Sequence, residues 1–193
     1  MANQEETLER LRAAIANYQP QGFFDAEAEK AKAKVRERAL GLLDHRARSR
    51  QELQQRLLKA EYDPALVTEV LDDLQGAGLL DDAAFAQEWV RQRSRRRGKS
   101  TRVLARELQE KGVAEQDRRE ALEQISHEDE RATARAFAEK KARSIKAVPE
   151  SYEERQKDLR RVVGVLARRG FSEGMSLALA REALDERYQV LGG

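Results

Sequence analysis

The chain is an imperfect repeat of itself, and this self-similarity constrains its fold more than any other feature. Shifting the 193-residue sequence by 51 positions superposes Ser49, Leu53, Leu57, Val70, Leu71 and Leu74 on Ser100, Leu104, Leu108, Ala121, Leu122 and Ile125. A further shift of 58 places Leu104, Leu108, Gly112 and Val113 on Val162, Leu166, Gly170 and Phe171. A period of about 50 residues implies supersecondary units that stack because none buries its apolar face alone. Three units are expected. Each carries a helix with an aromatic or aliphatic stripe, a Leu-x3-Leu helix ending near a glycine or its equivalent, and a third apolar-periodic helix.

Composition makes these segments helices. Ala (29) and Leu (22) swamp the β-branched Val (11) and Ile (3), and only 3 Pro and 11 Gly are present. That is too little punctuation for a sandwich or barrel of many short strands. Helix-end signals agree. Ser49-x-x-Glu52 and Ser151-x-x-Glu154 have the pattern of capping boxes, Asp63-Pro64 that of an N-cap followed by proline at the first helical position, and Gly112 and Gly170 fall where a helix closes with a left-handed residue. Helices are expected near 4–17, 26–46, 49–60, 63–75, 81–97, 100–111, 114–125, 127–145, 151–169 and 172–190. The fold class is all-α: tandem three-helix repeats over 35–80, 81–126 and 127–193, forming an elongated curved body after an N-terminal helical extension over 1–34.

The absence of cysteine excludes a disulfide framework, a thiolate zinc site, an iron–sulfur cluster and a cysteine nucleophile. Residues 1–12 have no apolar core of a signal peptide, and no run of 18 apolar residues occurs, so a cytoplasmic protein without a membrane partner is expected. Basic and acidic residues nearly cancel, 37 against 35. Their distribution does not. Net charge runs −1 over 1–34, +3 over 35–58, −7 over 59–88, +7 over 91–111, −5 over 112–130, +7 over 131–169 and −2 over 170–193. Positive charge therefore falls on the first and second helices of each unit and negative charge on the third and the junction.

The densest band is Arg91, Arg93, Arg95, Arg96, Arg97 and Lys99, continued by Arg102 and Arg106. Like charges four apart, such as Arg91/Arg95 and Arg93/Arg97, oppose helix formation by a few tenths of a kcal/mol each, so an external polyanion or acidic protein is the natural counterpart. A solvated face compensated by Asp81, Asp82 and Glu88 is the competing reading. Arg48, Arg50, Arg160, Arg161, Arg168 and Arg169 are expected to be weaker versions at matching repeat positions. Phe85 and Trp89, four apart, with Phe137 at the matching place in the next unit, read as core stripes rather than a base-stacking platform. Phosphate contacts would then dominate any nucleic-acid binding.

Gly98-Lys99-Ser100 resembles the end of a phosphate-binding loop, but the required earlier glycine is Arg93 and no strand precedes it. Asp81-Asp82 reads as N-cap and helix-dipole chemistry rather than a metal or acid–base pair. His45 and His127 have no partner motif and read as polar helix-end residues. No catalytic residue, metal site, cofactor or small-molecule substrate is expected, and no enzyme.

The residues that carry these patterns resemble the RecX family, bacterial regulators of the RecA recombinase. The resemblance runs through Ala39-Leu40-x-x-Leu43-x-x-Arg46-x-x-Ser49-x-x-Glu52-Leu53, then Leu80-Asp81-Asp82-x-x-Phe85-Ala86-x-x-Trp89-Val90-x-x-Arg93-x4-Gly98, then Leu104-x-x-Glu107-Leu108-x-x-Lys111-Gly112-Val113. Leu166-x-Arg168-Arg169-Gly170-Phe171-Ser172 adds the third unit, so about 35–190 is covered. Nothing is carried over for 1–34 or for Gly174-Met175-Ser176. The resemblance implies a non-enzymatic modulator that binds the RecA–DNA filament, inhibits its ATPase, strand exchange and coprotease activities, and so acts on recombination, DNA repair and the SOS response. The implied partners are the RecA filament and single- or double-stranded DNA; a monomer is expected. The alternative is a standalone helical-repeat DNA-binding protein with no recombinase dependence, and a third reading is a plain helical scaffold.

Overall fold

The structure, a computed structural model, describes residues 26–192, apart from the side chains of Ala26, Arg95 and Arg96; the helix expected over 4–17 lies outside the described residues. Among the described residues the elements are α1 (Ala26–His45), α2 (Arg50–Lys59), α3 (Pro64–Gly76), α4 (Asp82–Arg97), α5 (Thr101–Glu110), α6 (Glu115–Leu122), α7 (His127–Ala142), α8 (Tyr152–Ala167) and α9 (Glu173–Gly192), with no strand.

Capping explains most of the boundaries. Asp63 accepts from the N–H groups of Ala65 and Leu66 at the start of α3, with Pro64 in its first turn. Asp81, Ser100 and Ser151 accept from Ala84, Val103 and Glu154 in the same way. The two expected capping boxes form only their serine half. Glu52 is drawn away to Arg46 and Lys111, and Glu154 accepts from the N–H of Glu150, one residue before the cap. The reciprocal box forms instead at Ser126 and Asp129, opening α7, where the acid is aspartate rather than the expected glutamate or glutamine. At the other ends Gly112 and Gly170 take left-handed φ values of +74° and +85°.

Three buried clusters follow the helices in threes. Val35, Ala39, Leu53, Leu57, Val70 and Leu71 join α1, α2 and α3; Phe85, Ala86, Val90, Leu104, Leu108 and Ala121 join α4, α5 and α6; Ala134, Ala138, Val162, Leu166, Leu179 and Ala180 join α7, α8 and α9. Each apolar stripe thus finds its partners within one set of three consecutive helices, as the repeat requires.

Adjacent sets meet at two junctions built on one plan. Ser49 Oγ donates to the Lys111 carbonyl (2.7 Å), and at the equivalent place the Ser100 N–H donates to the Arg169 carbonyl (3.0 Å). Asp82 Oδ1 accepts from the Arg50 N–H (2.8 Å), whereas Glu130 Oε1 accepts from the Thr101 N–H (2.7 Å) and hydroxyl (2.9 Å). Both acids sit on the first helix of one unit and satisfy an orphan N–H of the preceding unit's second helix. From the sequence Asp81 and Asp82 both serve their own helix; in the structure Asp81 caps α4, while Asp82, on the first turn of α4, also caps α2. Burial pushes the Asp82 carboxyl pKa up, against the opposing hydrogen bond from Arg50. A cation rests on an aromatic ring at each junction: Lys111 lies 4.1 Å from the Trp89 ring centroid, and the Arg169 guanidinium 3.9 Å from that of Phe137.

Candidate functional site

The cations singled out in the sequence divide into an inward and an outward set. Arg48 is 7% exposed, its Nε donating to the Leu42 carbonyl (3.0 Å), and burial lowers its pKa. It belongs to the interior of the first unit and not to a surface band. Arg50 reaches α3, donating to Asp72 (2.6 Å) and Gln75 (2.8 Å). Arg169 donates to the Val165 carbonyl (3.1 Å) while stacked on Phe137.

Within the densest band, Glu107 on α5 gathers the inward members. It accepts from Trp89 Nε1 (3.0 Å) and from Lys99 Nζ, and lies 3.8 Å from Arg93, whose guanidinium stacks 3.4 Å from the Trp89 ring centroid. Burial alone would raise the Glu107 pKa, but the hydrogen bonds from Lys99 and Trp89 and the adjacent positive charges hold it below the ordinary value. Phe85 is buried as expected from its stripe; Trp89 is only half-buried, one edge in the core and its face under the cations.

The outward set is the larger. Arg91 is exposed and pairs with Glu88 one turn earlier (2.5 Å), and Arg161 is exposed and pairs with Asp158 (3.1 Å). Arg106 stands 3.8 Å from Glu110, with both side chains about two-thirds exposed, a geometry that contributes at most about 1 kcal/mol. Arg97, Arg102, Arg160 and Arg168 are exposed. The side chains of Arg95 and Arg96 lie outside the described residues.

Arg102, Arg106 and Arg168 come together. They line an open groove of about 810 Å³ between α5 of the second unit and α8 and the start of α9 of the third, with Glu173 at its edge and Gly170 and Ser176 along it. Glycine at 170 is required twice, by its left-handed φ and because Val103 and Ser100 of the neighbouring unit occupy the space a side chain would take.

The sequence found the cations but not which face inward, because Glu107 and Asp72 reach theirs from neighbouring helices and the Leu42 carbonyl reaches Arg48 only through the turn after α1. No periodicity signals those contacts. The two histidines are exposed at helix ends, His45 closing α1 and His127 opening α7. Among the described residues no group of three His, Asp or Glu side chains is placed to hold a metal ion, and no helix is long and apolar enough to cross a membrane.

Fold and site together define a tandem three-helix repeat protein with a cationic groove between two of its units. Comparison with known proteins gives that class its name. Family models described as the first and second three-helix domains of RecX match residues 36–74 and 81–122. Regulatory protein RecX of Corynebacterium efficiens is 59% identical over 196 aligned residues, which cover 98% of this chain and 93% of the relative. The RecX of Streptomyces coelicolor is 42% identical over 76% of each. In three dimensions the chain resembles the crystal structure of RecX from Lactobacillus salivarius, with a TM-score of 0.69 at 23% identity over 82% of this chain and 99% of the other. This chain belongs to the RecX family of regulatory proteins.

Proposed function

We propose that this chain is a non-enzymatic inhibitor of RecA: it binds the RecA–DNA filament and, by lowering the filament's activity, restrains recombination, DNA repair and the SOS response in the cytoplasm. It works as a monomer without a cofactor, through three units spanning 35–80, 81–126 and 127–193. The observation that supports a contact role is the outward set. Arg97, Arg102, Arg160 and Arg168 are exposed with no ion-pair or hydrogen-bond partner among the described residues, so their charge is available to filament DNA phosphates or to acidic surfaces of RecA protomers. A ligand shifts a filament equilibrium only through its differential affinity for two filament states. Inhibition therefore requires tighter binding to a state that hydrolyses ATP slowly or grows slowly.

Titrating the full chain into RecA assembled on single-stranded DNA tests this reading. DNA-dependent ATP hydrolysis is expected to fall at ratios of chain to RecA below one. A rate unchanged at saturating chain overturns it.

A further inference from the structure

The two junctions share their construction but not their lining. The repeat shift of 51 residues aligns Arg102 and Arg106 with Gln51 and Gln55, and the shift of 58 aligns Arg168 with Glu110 and Glu173 with Glu115. The first junction therefore carries two amides and two carboxylates where the second carries three guanidiniums and one carboxylate. Both keep the serine, the borrowed N–H, the cation on an aromatic ring and the left-handed glycine. Joining two units does not need the arginines.

A second observation comes from Ser176, aligned with Arg118. Arg118 donates to the Val113 carbonyl (2.6 Å) and so satisfies its unit internally. Ser176 lines the groove, is 0% exposed, and its hydroxyl has no hydrogen-bond partner. A buried hydroxyl without a partner is uncommon, and here it lies directly beneath the groove lining.

The lining selects a ligand read by charge. Phe171 beside the groove is 5% exposed and belongs to the third core, so no ring is offered for stacking on a base. Arg102 and Arg106, one turn apart on α5, space their side chains about 6 Å along the helix, comparable with neighbouring phosphates on one strand. Guanidinium forks match phosphate oxygens in pairs. Arg97 is exposed at the end of α4, five residues before Arg102 in the sequence.

We propose that the groove between the second and third units binds the phosphodiester backbone of a single nucleic-acid strand, without regard to sequence, through Arg102, Arg106 and Arg168. This deepens the filament reading above by assigning the DNA contact to one groove.

The test gives the chain its own first-junction residues. A labelled single-stranded oligonucleotide is titrated with the full chain and with the variant Arg102→Gln/Arg106→Gln/Arg168→Glu over a range of salt concentrations. The log–log salt slope is expected to fall by about 2, from three phosphates at roughly 0.7 each, with helix content by circular dichroism unchanged. Arg168→Gln alone is expected to lower the slope by about 0.7, which keeps the test open if the triple variant folds poorly. Unchanged slopes in both variants overturn the assignment. So does a loss of polyglutamate binding with DNA binding intact, which would give the groove to an acidic polypeptide. The assay contains no RecA, so its failure refutes the groove alone, whereas failure of the hydrolysis titration refutes the filament reading alone.

Discussion

Glu52 and Glu107 show how a carboxylate distant in sequence turns an apparent surface cation inward. Glu52 accepts from Arg46 (3.1 and 3.2 Å) and Lys111 (2.5 Å), and these bonds outweigh burial and hold its pKa at about 2, against an ordinary 4.5. Because the folded-state pKa is depressed, its contribution is present above pH 4.5 and is lost as pH falls toward 2. Glu52→Gln is expected to cost about 2 kcal/mol in urea unfolding at pH 7 and close to nothing near pH 2, with the difference shrinking below pH 4.5. Lys111 also rests on Trp89, the only tryptophan in the chain. Lys111→Met should therefore change tryptophan emission and lower stability by roughly 1 kcal/mol; an unaltered spectrum would show that the stacked cation does not persist in solution. Composition signals neither glutamate. Glu107 lies on the face of α5 toward α4, and only the packing of the two helices brings it to Trp89, Arg93 and Lys99.

Helices were the most legible level of this structure because their signals are local. A serine or aspartate two or three residues before the N–H that it caps, a proline directly after that cap and a glycine at the end act within one turn. The matching first-helix places of Trp89 and Phe137 were also legible; the cation that each receives from the end of its own unit's second helix was not. The destination of the charge bands was not, because it depends on which helices touch. In the first unit, acidic α3 folds back on basic α1 and α2: Asp73 pairs with Lys32 and Arg36, and Asp72 with Arg50. In the third, Glu182 on α9 pairs with Arg131 and Arg135 on α7. In the second, α6 pairs within itself, Arg119 to Glu115, and the outer face of α5 keeps its positive charge. Glycines test the same level. Gly112→Ala meets both a φ of +74° and the Gln51 side chain and is expected to cost about 1–3 kcal/mol. Gly41→Ala, inside α1 with open space around it, is expected to add about 0.5–1 kcal/mol. A Gly112→Ala variant as stable as the parent in urea unfolding would mean that the first repeat junction is not seated as described.

For the whole molecule, the balance of 37 basic and 35 acidic residues conceals an uneven outcome. Most pairing occurs within units, and among the cations left exposed Arg102, Arg106 and Arg168 share one groove at the second junction. A repeat protein used only as a scaffold would have no need for that remainder. The most direct test of the account is therefore ATP hydrolysis by RecA on single-stranded DNA, titrated with the full chain and with Arg97→Glu/Arg102→Glu/Arg168→Glu. The ratio of chain to RecA at half-inhibition is expected to rise at least about tenfold for the variant, on the order of 1.4 kcal/mol of lost binding. Superimposable curves for the two proteins would contradict it.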